Sequence, residues 1–296
     1  MNFRTDLALE QREALGERTP PGVSAEELSL GQVKISRIKV ETAQGEKALQ
    51  KPVGNYITIE VPPFSDNAHE IDERLEALSR ELSLLLPKEG LILVVGLGNS
   101  EITPDALGPK TAGRVLATRH ITGEIARSAG LDDLRPVAVI TPGVLGQTGV
   151  ETGEIIRGLV EHIKPAGVIV VDALASRNLS RLGCTVQISD TGISPGSGVG
   201  NSRAEISKKT LGVPVIAVGV PTVVDAFTLA NDLMQDENGA QRDRVNSTVR
   251  PRGAEMIVTP REIDLLIDRA AGLVSLGINH ALQPQIPPED MLALAS

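Results

Sequence analysis

Apolar residues recur along the chain in two spacings. Between residues 67 and 86 (NAHEIDERLEALSRELSLLL), Ile71, Leu75, Leu78, Leu82 and Leu85 fall on one face of a helix. The runs 91–96 (LILVVG), 137–140 (VAVI), 167–171 (GVIVV) and 214–218 (PVIAV) are continuously apolar instead, as strands buried on both faces are. Residues 53–61 (VGNYITIEV) read as a further strand. Helical stretches such as 152–163 (TGEIIRGLVEHI) separate several of the runs. That alternation predicts an α/β fold, a three-layer α/β/α sandwich with a mostly parallel sheet joined by right-handed crossovers. Residues 1–30 are polar and helix-compatible up to the break at Pro20-Pro21-Gly22, and 231–253 are polar without periodicity, a long loop. Thr259-Pro260-Arg261-Glu262 announces a last helix: Thr at the N-cap, Pro at the first position and Glu at the third.

Composition narrows the function classes. The 296 residues suffice for one large domain or two small ones, with a core that needs no disulfide or metal staple. Three Phe, one Tyr and no Trp leave no aromatic platform for stacking bases, and a net charge of −9 repels phosphate backbones. Direct nucleic-acid binding is therefore not expected. A single cysteine, Cys184, excludes a disulfide framework and a Cys-based zinc site. No apolar run is long enough to span a membrane, and the N-terminus is too polar for a signal peptide, so a cytoplasmic or equivalent reducing compartment is expected.

Three glycine-rich polar segments follow predicted strands: 96–109 (GLGNSEITPDALGP), 172–177 (DALASR) and 189–201 (SDTGISPGSGVGN). In an open parallel sheet the first two share the ligand-binding edge, and the third can join them. A dinucleotide fingerprint fails because Glu101 stands where the third glycine belongs, and no P-loop is present. Gly192-Ile193-Ser194-Pro195-Gly196 matches the form of a serine nucleophile elbow. The backbone N–H that should follow the serine is missing, because Pro195 has none. Cys184 reads as a small buried residue, and the four histidines show no ligand spacing. Carboxylates remain. Asp172 ends a wholly apolar run, where a charge is costly unless paired, solvated or functional. Asp105 sits in the first turn after Thr-Pro, where a helix dipole also favours an acid. Two such groups on one sheet edge can share a proton, one activating water and the other protonating a leaving amine, which is peptide-hydrolysis chemistry.

The segments Gly96–Pro109, Val171–Arg177 and Asp190–Arg203, with 219–225 (GVPTVVD) and 256–264 (MIVTPREID), closely resemble the spore germination proteases. That resemblance implies an atypical aspartic endopeptidase, similar in fold to hydrogenase-maturation endopeptidases, that starts the degradation of small acid-soluble spore proteins in the spore core or forespore. Asp105 and Asp172 match its catalytic pair, with Asp172 as the ionised base and Asp105 as partner, an order that could be reversed. Asp190, Gly196, Gly198, Gly200, Asn99 and Arg177 would support them, the glycine loop offering N–H groups to the substrate chain or the oxyanion. No cofactor and no metal is implied. The resemblance also implies a zymogen that removes its own leader, and a homotetramer. Thr5-Asp6-Leu7-Ala8-Leu9-Glu10 is similar to the site the family cuts, so self-cleavage between Asp6 and Leu7 is expected, promoted by acid. Residues 1–6 would then be the leader and 7–296 a single peptidase domain. The competing reading is a nucleoside- or phosphate-binding module using the glycine-rich loops, with Arg177 and Arg203 as its cations.

Overall fold

The structure, a computed structural model, describes residues 5–16, 19–66, 71–128, 131, 133–196, 203–233 and 256–295. Its strands are β1 Val23–Leu30, β2 Val33–Val40, β3 Gly54–Glu60, β4 Ile92–Gly96, β5 Val137–Ile140, β6 Gly167–Ser176, β7 Thr185–Ser189, β8 Val215–Asp225 and β9 Ile257–Val258. Among the described residues they form one sheet in the order β1-β2-β3-β7-β8-β6-β4-β5, with β9 on β8. The four apolar runs give the parallel half, β5-β4-β6-β8. The other half, β1-β2-β3-β7 and the β7–β8 ladder, is antiparallel.

The sheet is thus mixed, and a mostly parallel arrangement holds only on the side built from the buried runs. The reason lies in β1 and β2, which a tight turn at Gly31-Gln32 joins as a hairpin, with Gly31 at φ 57°. Val23–Leu30 is the part of residues 1–30 that follows the Pro20-Pro21-Gly22 break. It forms an edge strand whose Glu26 and Glu27 face water, and such charges protect an open edge from mispairing.

Alternation within the buried strands sends successive side chains to opposite faces. Ile92, Val94, Ile169, Val171, Ile216 and Val218 meet helices α3 (Glu73–Leu85) and α10 (Ile263–Leu282) through Leu75, Leu78, Leu82, Ile267, Val274 and Ile278. Leu93, Val95, Val168, Val170 and Val215 meet Ile156 and Val160 of α7 (Thr152–Ile163) on the other face. Burying each such side chain stabilises by about 1.5–3 kcal/mol, so Leu78→Ala in this layer costs about 2–5 kcal/mol. A third cluster packs α1 (Ala8–Ala14) and α2 (Ala43–Leu49) on the antiparallel half through Ala8, Leu9, Leu49, Val23, Ile38, Val40 and Tyr56.

Other boundaries differ in instructive ways. The helix expected from Thr259 starts at Ile263, because the Thr259 hydroxyl donates to the Thr222 carbonyl at 2.9 Å instead of capping, and it is not the last, since a further helix spans Pro288–Ala295. Strand β6 runs on through Asp172 to Ser176, because β8 extends alongside and pairs with it past a bulge at Leu174/Ala175. Of the expected loop 231–253, residues 231–233 end helix α9 (Ala226–Leu233) and the rest lies outside the described residues.

Candidate active site

The carboxyl ends of β4, β5, β6 and β8 form one edge. At β4 the chain leaves the sheet as Gly96-Leu97-Gly98, and Leu97 N–H still donates to Val171 at 2.8 Å. It then returns to the same strand end as α4 (Leu107–Ala112). The approach is too tight for side chains. A Cβ on Gly98 (φ 111°) would stand 2.0 Å from the Asp105 carbonyl oxygen, and one on Gly108 would stand 2.1 Å from that of Leu97. Between them the short 3-10 turn Thr103–Asp105 presents Asp105. Its carboxylate accepts the Asn99 N–H at 2.8 Å, and Thr222 of β8 donates to the Pro104 carbonyl at 2.8 Å.

Asp172 projects from within β6 and is only 5% exposed. Its carboxylate accepts the N–H of Ala173 at 2.9 Å. Burial, then the negative charges of Asp105 and Asp6, push its pKa well above the ordinary carboxyl value. Asp105 is less deeply buried. Burial raises it too, while the Asn99 N–H pulls the other way by favouring the ionised form.

Both aspartates line one cavity of about 410 Å³, with Asp6, Asn99, Ser194, Gly196 and Arg203 among its other walls. Arg203 lies 3.6 Å from Glu151, which also lines the cavity. Two expected supports sit elsewhere. The Asp190 carboxylate accepts from Asn55, at 2.7 Å from its N–H and 2.6 Å from its side-chain amide, and braces β3 against β7. Arg177 gives its backbone N–H to Glu10 at 2.7 Å. Gly198 and Gly200 lie outside the described residues.

Two features escaped the sequence reading. Gly143–Gly146 and Glu151–Gly153 also wall the cavity. They follow β5, so the strand-end rule applied to the other three parallel strands would have found them. The second feature is where the N-terminal segment, expected as a cleavage site, lies: against the end of β6. Asp6 N–H donates to the Ala175 carbonyl at 2.9 Å, and the Ala175 N–H donates back to the Asp6 carboxylate at 2.9 Å. Leu7 and Ala8 are fully buried behind it. The Glu10 carboxylate accepts the N–H groups of Arg177 and Asn178, and the Thr5 hydroxyl.

The profile of the germination proteases matches residues 4–236. The chain belongs to the germination protease family. Similar germination proteases include that of Caldanaerobacter subterraneus subsp. tengcongensis, 46% identical over 98% of this chain and 97% of the relative. That of Clostridium tetani is 44% identical over 98% of each chain. The germination protease of a Geobacillus strain is 37% identical over 98% and 96%. Membership makes the chain a peptidase, a hydrolase of spore germination. Among solved structures, the NiFe hydrogenase maturation protease HycI of Thermococcus kodakarensis is similar at a TM-score of 0.39 and 19% identity, covering 69% of this chain and 99% of its own. Among the described residues no helix is long and apolar enough to cross a membrane.

Proposed function

We propose that this germination protease cleaves small acid-soluble spore proteins by a two-aspartate mechanism, with Asp105 and Asp172 as its acid–base pair. The observation that carries the reading is the convergence of these two carboxyls on one cavity, each with its proton affinity raised by burial. In this reading the pair works in the reversed order that the sequence left open. The deeper Asp172 is the better proton carrier, and Asp105, with the Asn99 N–H on its carboxylate, is the better ionised base. Asp105 takes a proton from water, and Asp172 hands one to the leaving amine. The wall at Ile193–Gly196 supports a role for the glycine loop in holding the substrate chain.

The same reading includes a zymogen that cuts after Asp6, a homotetramer and residence in the spore core. The segment that resembles the family's cleavage site already lies in the cleft, which supports self-processing. Nucleoside or phosphate binding finds less support, because Asp6, Asp105 and Glu151 line the cavity beside Arg203 and would repel an anion. The test is incubation with a purified small acid-soluble spore protein, with fragment ends mapped by mass spectrometry. Discrete cuts after an acidic residue that precedes a large apolar one are expected. Ragged or absent cleavage by a folded enzyme contradicts the substrate assignment.

A further inference from the structure

The Asp6–Leu7 peptide is held by its carbonyl oxygen from two sides. Lys51 Nζ donates to it at 2.8 Å and Gln187 Nε2 at 2.9 Å. Neither residue belongs to the glycine-rich loops, and neither carries any signal in the sequence. Lys51 is delivered by the end of α2, where Gln50 adopts a left-handed conformation (φ 53°) and turns the chain inward ahead of Pro52. Gln187 stands in β7, in register with Thr58 of β3 and Gly219 of β8, so its backbone is fixed from both sides. Its amide spans the bond in question. While Nε2 reaches the Asp6 carbonyl, Oε1 accepts the N–H of Ala8 at 2.8 Å.

The flanking residues keep that carbonyl in register. Asp6 pairs with Ala175 through its N–H and its carboxylate, three residues beyond Asp172 on the same strand. On the far side Thr5 closes a local lock, accepting the Leu7 N–H at 3.0 Å and donating to Glu10. The Glu10 carboxylate sits on the N–H groups of Arg177 and Asn178 at 2.7 and 2.9 Å, with the Arg181 guanidinium 3.9 Å away. The polar side chains of Thr5, Asp6 and Glu10 are thus all engaged while the Asp6 carbonyl faces two donors.

We infer that Lys51 and Gln187 form the oxyanion site of this protease. The inference rests on the two-aspartate reading for the proton steps and adds what receives the negative charge. Water adds to the Asp6 carbonyl carbon as its proton passes to the ionised carboxylate of the pair. The C=O π electrons move onto oxygen, where the Lys51 ammonium and the Gln187 amide meet them. Collapse restores the C=O, breaks the bond to the Leu7 nitrogen, and that nitrogen takes a proton from the other carboxyl. Two preplaced donors, one of them cationic, suit this task because they need no reorganisation as charge develops. Burial lowers the Lys51 pKa, and the nearby Asp6 and Glu10 charges partly restore it.

The test is the first-order rate of leader loss in the full chain, followed by intact mass at mildly acidic pH. The cleaved segment is already seated, so the rate reads the chemical step and not affinity. Lys51→Met and Gln187→Met are each expected to slow the loss by about 10²–10³-fold. Lys51→Arg, which keeps a charged donor, should recover part of it, a rescue that a space-filling role would not produce. A wild-type chain that keeps Met1 throughout, or a folded Lys51→Met chain cut at the wild-type rate, overturns the inference. Should Lys51→Met lose its cooperative thermal transition, Gln187→Met carries the same expectation and the same contradiction. Asp172→Asn separates the two claims. If it is cut as fast as wild type the two-aspartate reading fails, whereas the Lys51 and Gln187 rates still decide the oxyanion site.

Discussion

Asp172 is conspicuous in the sequence because an acid at the end of GVIVV has no apolar reason to be there. Its depth was not legible, since that depends on how far β8 accompanies β6. Depth has a measurable consequence. The folded pKa lies above the ordinary 3.8, so the native state holds a proton that the unfolded chain releases, and stability falls as pH rises above that value. Asp172→Asn removes this loss. It should melt higher than wild type at neutral pH, by about 2–4 °C for each kcal/mol relieved, and the gain should vanish as pH drops below the ordinary carboxyl range. Thermal melts across pH check this, and identical pH dependence in the two proteins would contradict it. Asp190 shows the opposite error. Nothing in Asp-Thr-Gly reveals that Asn55 arrives from β3 to occupy the carboxylate. Asp190→Ala leaves the Asn55 donors unmet and should cost about 1–3 kcal/mol in denaturant midpoint measurements. Ser194 lines the cavity, yet Pro195 denies it the neighbouring N–H. Ser194→Ala should change turnover by less than about tenfold, and loss as deep as that of an aspartate variant would revive a serine nucleophile.

At the scale of elements, the β4–α4 connection was the most legible. Gly96, Gly98 and Gly108 mark a strand end and a helix start packed backbone to backbone. Gly108→Ala places a Cβ against the carbonyl oxygens of Leu97 and Val171, and something must shift. The expected cost is about 1–3 kcal/mol, with activity falling further because Asp105 rides on the same turn. Comparing melting temperature with turnover in that variant separates the two losses. Unchanged turnover would mean that the turn does not set the position of Asp105. The β1–β2 hairpin was illegible for a physical reason. An edge strand buries little, so Val23–Leu30 shows adjacent glutamates where a half-buried strand would alternate cleanly. Lys51 and Gln187 were silent for another reason. A lysine after a helix and a glutamine in a strand acquire meaning only when the N-terminal segment lies against them.

For the molecule as a whole, the α/β class and the parallel half follow from four apolar runs, whereas the antiparallel half depends on pairings that short, exposed strands do not advertise. Placement of the N-terminal segment in the cleft depends on contacts 167 to 181 residues apart in the chain, beyond the reach of local pattern. Four copies per particle are expected in light scattering, and a monomer would remove the tetramer from the account. The central claim is that two aspartates from separate strand ends run the hydrolysis. Its most direct measurement is turnover of a purified small acid-soluble spore protein by wild type, Asp105→Asn and Asp172→Asn, each checked for a cooperative thermal transition. Both variants should fold and lose about 10²–10⁴-fold in rate, the share that positioned acid–base groups supply. Wild-type turnover in either folded variant would contradict the account.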